Sequence, residues 1–211
     1  MTCRRLQRPE AATALAAGGV LILPTDTLPG LHARADNAAA VARIHGLKGR
    51  AEGKPLVVLA GSLAQARSLL RPLNREQERI CVSCWPGPYT LILPGAGLTA
   101  AGVAGEGGGL AVRVPGYGEL RELVLEAGGP LVSTSANRAG AAPAADVAAA
   151  VAIFGTTVDG YWDGGVSGPR PAAQASCLVD FTGAEPKVLR DGPLPFPPPA
   201  EGRLDGPSGA V

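Results

Sequence analysis

Short unbroken apolar runs alternate along this chain with stretches in which apolar residues return every three or four positions. That is the rhythm of buried strands exchanging with amphipathic helices. Val20-Leu21-Ile22-Leu23, Pro55 to Ala60, Tyr89 to Leu93, Leu110-Ala111-Val112-Arg113-Val114 and Pro130-Leu131-Val132 read as strands. Between them, Pro9 to Ala17 reads as a helix closed by Gly18-Gly19, and Asn37 can cap a helix through about Leu47, with Val41, Ile44 and Leu47 on one face. Two helices are expected between Leu63 and Cys84, stopped by Trp85-Pro86-Gly87-Pro88, another from Glu119 to Ala127, and a last one opened by Asp146 and running to about Phe154. Val158 to Trp162, Ser176 to Asp180 and Lys187 to Arg190 are short late strands. The glycine-rich segment from Gly95 to Gly109 reads as a mobile loop, and the proline-rich end as a flexible or polyproline-like tail. The chain therefore divides into one α/β domain over residues 1–192 and a tail over 193–211, the domain being an open, mixed sheet flanked by helices.

Composition narrows the possibilities. With 211 residues, 46% of them hydrophobic and 18% charged, the chain can build one sizeable core. The formal net charge of +1 removes any argument from a strongly basic surface, so a basic site must be local. Arg4, Arg5 and Arg8 lead into no long apolar segment of an export signal, and no run approaches a membrane span. Cys3, Cys81, Cys84 and Cys177 are too few and too irregular for a disulfide framework, which makes a reducing cytoplasm the expected location. Cys81-x-x-Cys84 lacks a second such pair, and neither His32 nor His45 completes a metal-ligand spacing, so the two thiols are read as packing residues and no metal site is assigned.

The candidate chemistry lies where strands end. Thr25-Asp26-Thr27 and Ser133 to Asn137 both follow apolar strands, at the edge where open α/β sheets hold ligands. Lys48-Gly49-Arg50 and Ser135-Ala136-Asn137 each place two polar residues two positions apart; in extended backbone such residues share a side, and two such forks suit a polyanion. Lys48 offers a compact charge and Arg50 a planar fork. Each cluster alone has a plainer explanation: cations favour helix C-termini, Ser and Asn cap helices, and Thr25 to Thr27 can form a turn. Arg113, inside an apolar run, either faces solvent from an edge or ends in a pocket that holds an anion. Ser176 and Arg190 flank late strands, and the chain carries no GxxxxGK[ST] or dinucleotide fingerprint.

Taken in order, a longer set of landmarks resembles the YrdC-type threonylcarbamoyl-AMP synthase family. They are Pro24-Thr25-Asp26-Thr27-x-x-Gly30-Leu31, Ile44-x-x-x-Lys48-x-Arg50 leading to Pro55-Leu56, Trp85-Pro86-Gly87-Pro88-x-Thr90-Leu91, Ala111-Val112-Arg113-Val114-Pro115, Ser135-Ala136-Asn137-x-x-Gly140 and Leu189-Arg190-x-Gly192. The resemblance implies a single-domain YrdC/RibB-like fold, a twisted sheet with a basic concave face. It implies a nucleotidyltransferase that makes L-threonylcarbamoyl-adenylate and pyrophosphate from L-threonine, bicarbonate and ATP, for threonylcarbamoyladenosine in tRNA. Carried over by position, Thr27, Arg113, Ser135 and Ser176 would surround threonine. Lys48, Arg50, Lys54, Asn137 and Arg190 would hold the nucleotide, with Lys48 and Arg50 stabilising the reacting anions. Mg2+ would arrive with ATP; tRNA and the downstream threonylcarbamoyl transferase complex would be further partners.

The chain departs from the family pattern at Pro29, where an aromatic is usual, at Leu59, where many members have histidine, and at Cys177, Ala139 and Ala145, where hydroxyl residues are common. These changes remove side-chain hydrogen bonds and bear on affinity and amino-acid choice more than on fold. A carbamoyl-adenylate-forming activity is the alternative within enzymology. A non-catalytic tRNA- or double-stranded-RNA-binding protein is the alternative outside it, disfavoured by the near-zero charge and 4% aromatic content.

Overall fold

In the computed structural model, residues 3–49, 55–164, 174–183 and 185–197 are described. The chain runs α1 (Arg8–Ala16), β1 (Leu21–Leu23), β2 (Gly30–Arg34), α2 (Ala38–Lys48), β3 (Val57–Leu59), α3 (Leu63–Ser68), α4 (Arg75–Cys84) and β4 (Tyr89–Pro94). A 3-10 turn at Glu106–Gly108 leads into β5 (Gly109–Arg113), α5 (Gly118–Glu126), β6 (Leu131–Ser135), α6 (Val147–Phe154), β7 (Gly160–Tyr161), β8 (Cys177–Asp180) and β9 (Lys187–Arg190). Helix starts are set by side chains that take up the free N–H groups of the first turn: Asn37 accepts from Ala40 N, Ser62 from Gln65 N, Asn74 from Gln77 N and Asp146 from Ala149 N. Gly18 and Gly49, both at positive φ, turn the chain out of α1 and α2.

The strands form one sheet in the order β7-β1-β2-β6-β3-β5-β4-β8-β9. The pairs β1–β7, β3–β5 and β4–β8 are parallel and the others antiparallel, the mixed sheet expected. Ile22, Leu31, Val58, Leu91, Val112, Val132 and Val179 point to one face, where α2, α4 and α6 cover them with Val41, Ile44, Ile80 and Phe154. Cys81, Cys84 and Cys177 lie in this same core, where burial, the largest cause, pushes the thiols of Cys81 and Cys84 up to about 12. On the other face Leu21, Leu23, Leu59 and Leu131 meet α1 and α5 through Leu15, Leu120 and Leu123. Each such buried leucine contributes about 2 kcal/mol. This second layer covers one end of the sheet. Towards β5, β4 and β8 the same face carries Ala111, Arg113, Ile92 and Leu178 and forms the wall of a cleft.

Three local results differ from the sequence reading or refine it. β2, which pairs with both β1 and β6, was not expected as a strand. The Gly95 to Gly109 segment is tied to the body rather than loose: Ala96 N donates to Leu69 O, Ala100 N to Ala35 O and Leu56 N to Val103 O, with Val103 fully buried. At the start of the tail, Tyr89 Oη donates to Pro195 O and Phe196 lies edge-on to Phe181. Among the described residues no helix is long and apolar enough to cross a membrane.

Candidate functional site

The cleft, about 440 Å³, is lined by Thr25, Thr27, Arg113, Ser135, Ser176 and Arg190 among others, with no carboxylate among its described lining residues. Three hydrogen-bonded groups build it. After β1, Pro24 halts the ladder and the chain turns: Thr25 Oγ1 accepts from Thr27 N at 3.0 Å and donates to Leu28 O at 2.8 Å. Arg113, at the end of β5 and 4% exposed, donates from Nη1 to Thr27 Oγ1 (2.8 Å), from Nη2 to Asp26 Oδ1 (2.5 Å) and from Nε to Gly87 O (3.1 Å). Asp26 Oδ2 also accepts from Gly116 N. The choice left open for Arg113 is thus decided: it ends in a pocket, not in solvent.

The second group joins β4, β8 and β9. Arg190 Nε donates to Ser176 O at 3.0 Å and its Nη2 to Ser176 Oγ at 3.3 Å, while Ser176 Oγ and Thr90 Oγ1 lie 2.8 Å apart. Burial, and after it the charge of Arg113, hold the Arg190 guanidinium below its ordinary range. Two guanidiniums on one hydroxyl-lined cleft, one of them already paired with Asp26, favour an anion there.

The third group is built on β6 and α2. Lys48 is the last residue of α2 and Gly49 is left-handed, so this pair is not the extended fork that i, i+2 spacing suggests. Instead Lys48, 1% exposed, donates from Nζ to Ser135 O and to Asn137 Oδ1, both at 2.6 Å. Ser135 Oγ donates to the same Asn137 oxygen, and Asn137 Nδ2 donates to Ala141 O and Arg138 O. Lys48 and Asn137 therefore stand behind Ser135 rather than on the cleft surface. Arg50 and Lys54 lie outside the described residues. Of the expected site residues, the structure gathers Thr27, Arg113, Ser135, Ser176 and Arg190 on one cleft, with Lys48 and Asn137 packed against its rim.

The sequence profile of the Sua5, YciO and YrdC proteins, described as telomere recombination, matches residues 13–192. The chain belongs to this family. Within the Sua5/YciO/YrdC family it is 40% identical over 176 residues to the threonylcarbamoyl-AMP synthase of Chromohalobacter salexigens, covering 83% of this chain and 93% of that one. It is 39% identical over 159 residues to the threonylcarbamoyl-AMP synthase of Halorhodospira halophila, covering 75% and 83%. Its structure matches that of P. abyssi Sua5 complexed with L-threonine with a TM-score of 0.83 at 28% identity. That match covers 90% of this chain and 57% of the longer P. abyssi protein.

Some residues that shape this family member's site were not singled out as site residues from sequence. Asp26 and Thr90 stand inside quoted landmarks, but their roles depend on Arg113 and Ser176, distant partners that no local pattern reveals. Ser133, which lines the cleft, and His32, fully buried beside it on the same face of the sheet, form a pair at 3.0 Å across β6 and β2.

Proposed function

We propose that this protein joins L-threonine, bicarbonate and ATP into L-threonylcarbamoyl-adenylate and releases pyrophosphate. The observation that carries the reading is the approach of Arg113 and Arg190 to one hydroxyl-lined cleft in a chain of this family. The 40% identical relative named threonylcarbamoyl-AMP synthase and the L-threonine complex of the P. abyssi protein support it.

In this reading Arg113 receives the threonine carboxylate, with Thr27, Ser135 and Ser176 completing that end. The amine nitrogen attacks the carbon of bicarbonate or of CO2 formed from it, giving a carbamate. A carbamate oxygen then attacks the α-phosphorus of ATP, and the bond to the bridging oxygen of pyrophosphate breaks. No nucleophile of the protein is required; the chain contributes position and positive charge. Arg190, Arg50 and Lys54 serve the phosphates and nucleotide, while Asn137, whose amide is bonded to Lys48, Ser135, Arg138 and Ala141, holds the wall behind Ser135 instead of contacting the nucleotide as expected. Lys48 adds its charge one carbonyl behind the surface and fixes Ser135 and Asn137 in place. Among the described residues no group of three His, Cys, Asp or Glu side chains could hold a metal, and Asp26 is engaged by Arg113 and Gly116. Mg2+ would arrive with ATP as the MgATP substrate, carried by phosphate and water oxygens. The adenylate is the carrier that a separate transferase would consume on tRNA.

Incubation with MgATP, threonine and labelled bicarbonate should yield a product that carries both the label and AMP. Label in AMP-linked product at the same level without threonine would refute the reading.

A further inference from the structure

The lining of the cleft limits which form of inorganic carbon can react there. Among its described lining residues the ionisable side chains are Arg113 and Arg190, two guanidiniums that stay charged and lend no proton at neutral pH. The rest are aliphatic, proline, serine or threonine side chains. His32 is not a lining residue; it is fully buried and bonded to Ser133, and burial lowers its pKa from the ordinary 6.5 to about 4, so it is neutral. No described side chain on the cleft is therefore suited to protonate a leaving group.

The order of bond formation adds a second limit. If a bicarbonate oxygen attacked ATP first, the amine would then meet a carbon that bears both hydroxide and AMP. It would expel AMP, the better leaving group, and the adenylate would be lost. The N–C bond must form before the O–P bond. From bicarbonate that step has to expel hydroxide, which calls for a proton donor at the departing oxygen. CO2 has no leaving group: the amine lone pair forms the N–C bond, one C=O pair moves onto oxygen, and the ammonium gives one proton to water before the attack and a second after it.

The sheet also offers CO2 a seat. In register, Val57 of β3 stands beside Ala111 of β5, and Ala111 beside Ile92 of β4, so three aliphatic side chains form a row on the cleft wall. A small neutral molecule gives up little by leaving water for such a row, whereas bicarbonate would give up its hydration and need a cation of its own. Arg113 is committed to the threonine carboxylate and Arg190 to phosphate. We propose that CO2, seated on the row Val57, Ala111 and Ile92, is the molecule that the threonine amine attacks, and that bicarbonate serves as its reservoir in solution by taking up a proton and losing water. The inference rests on the synthase reading of this cleft.

The test starts wild-type reactions, with MgATP and threonine present, from either dissolved CO2 or bicarbonate, and follows pyrophosphate. Low temperature and the absence of carbonic anhydrase keep the two forms from interconverting within the assay. From CO2, release should begin fast and slow severalfold as the gas hydrates; from bicarbonate it should begin with a lag, and added carbonic anhydrase should make the two traces coincide. A burst from bicarbonate with a lag from CO2 overturns the proposal and leaves the synthase reading intact, as do traces that coincide without carbonic anhydrase. Threonine-dependent release from neither form would refute the synthase reading and this inference with it. The seat is tested by Val57→Thr, which puts a hydroxyl on the row at nearly constant shape and should raise the KM for inorganic carbon about 3- to 10-fold with the KM for ATP unmoved. Val57→Ala keeps the row apolar and should change the KM for inorganic carbon far less. An unmoved KM in Val57→Thr, or an equal rise in Val57→Ala, would remove CO2 from this row.

Discussion

Arg113 sets the charge of the cleft at the scale of a single residue. Its guanidinium is buried and already held by Asp26, Thr27 and Gly87, so its position is fixed before any ligand arrives. Arg113→Lys keeps a charge but loses the planar fork, and should raise the KM for threonine roughly 10- to 100-fold, the value of a charge-assisted hydrogen bond. Steady-state pyrophosphate release over a threonine series checks this; an unchanged KM would remove Arg113 from the carboxylate. His32 gives a second prediction. Its folded pKa of about 4 lies below its ordinary 6.5, so between those values the unfolded chain binds more protons and stability falls as pH falls. The loss should approach about 3 kcal/mol by the bottom of that window. Denaturant unfolding at a series of pH values should show a shallower acid slope in His32→Asn than in the wild type; equal slopes would mean that the buried ring does not resist protonation.

At the scale of the element, the unbroken apolar runs made β1, β3, β4 and β5 readable, because strands buried on both faces have no polar face to hide them. β2 escaped for the opposite reason. Gly30-Leu31-His32-Ala33-Arg34 is short and interrupted by two polar residues, and the bonds that tie them into the fold reach distant partners, His32 to Ser133 and Arg34 to the Ala127 carbonyl. Lys48 was expected as one arm of an extended anion-binding fork; it ends α2, and the partners that hold its Nζ lie 87 and 89 positions away, beyond any local pattern. Gly30 pins this region. A Cβ there would lie 2.7 Å from Thr134 O and 2.9 Å from His32 Cε1, so Gly30→Ala should cost about 1–3 kcal/mol in unfolding free energy. A Tm equal to wild type would show that the β2–β6 pairing yields more easily than this packing implies. Asn37→Ala, which removes the cap bond to Ala40 N, should cost about 1 kcal/mol without altering catalysis.

For the molecule as a whole, function follows from uneven coverage of one sheet. α2, α4 and α6 close one face, α1 and α5 close part of the other, and the exposed remainder carries the residues that meet the cleft. The ordered landmarks made the family legible, but not this asymmetry, since no local pattern tells which part of a sheet lacks a helix. In the proposed function this cleft couples threonine to cleavage of ATP. The direct measurement is pyrophosphate release by the purified protein from MgATP and bicarbonate, with and without L-threonine. Release should rise and saturate with threonine and fall sharply in Arg190→Ala; release that is absent, or equal with and without threonine, would contradict the synthase reading.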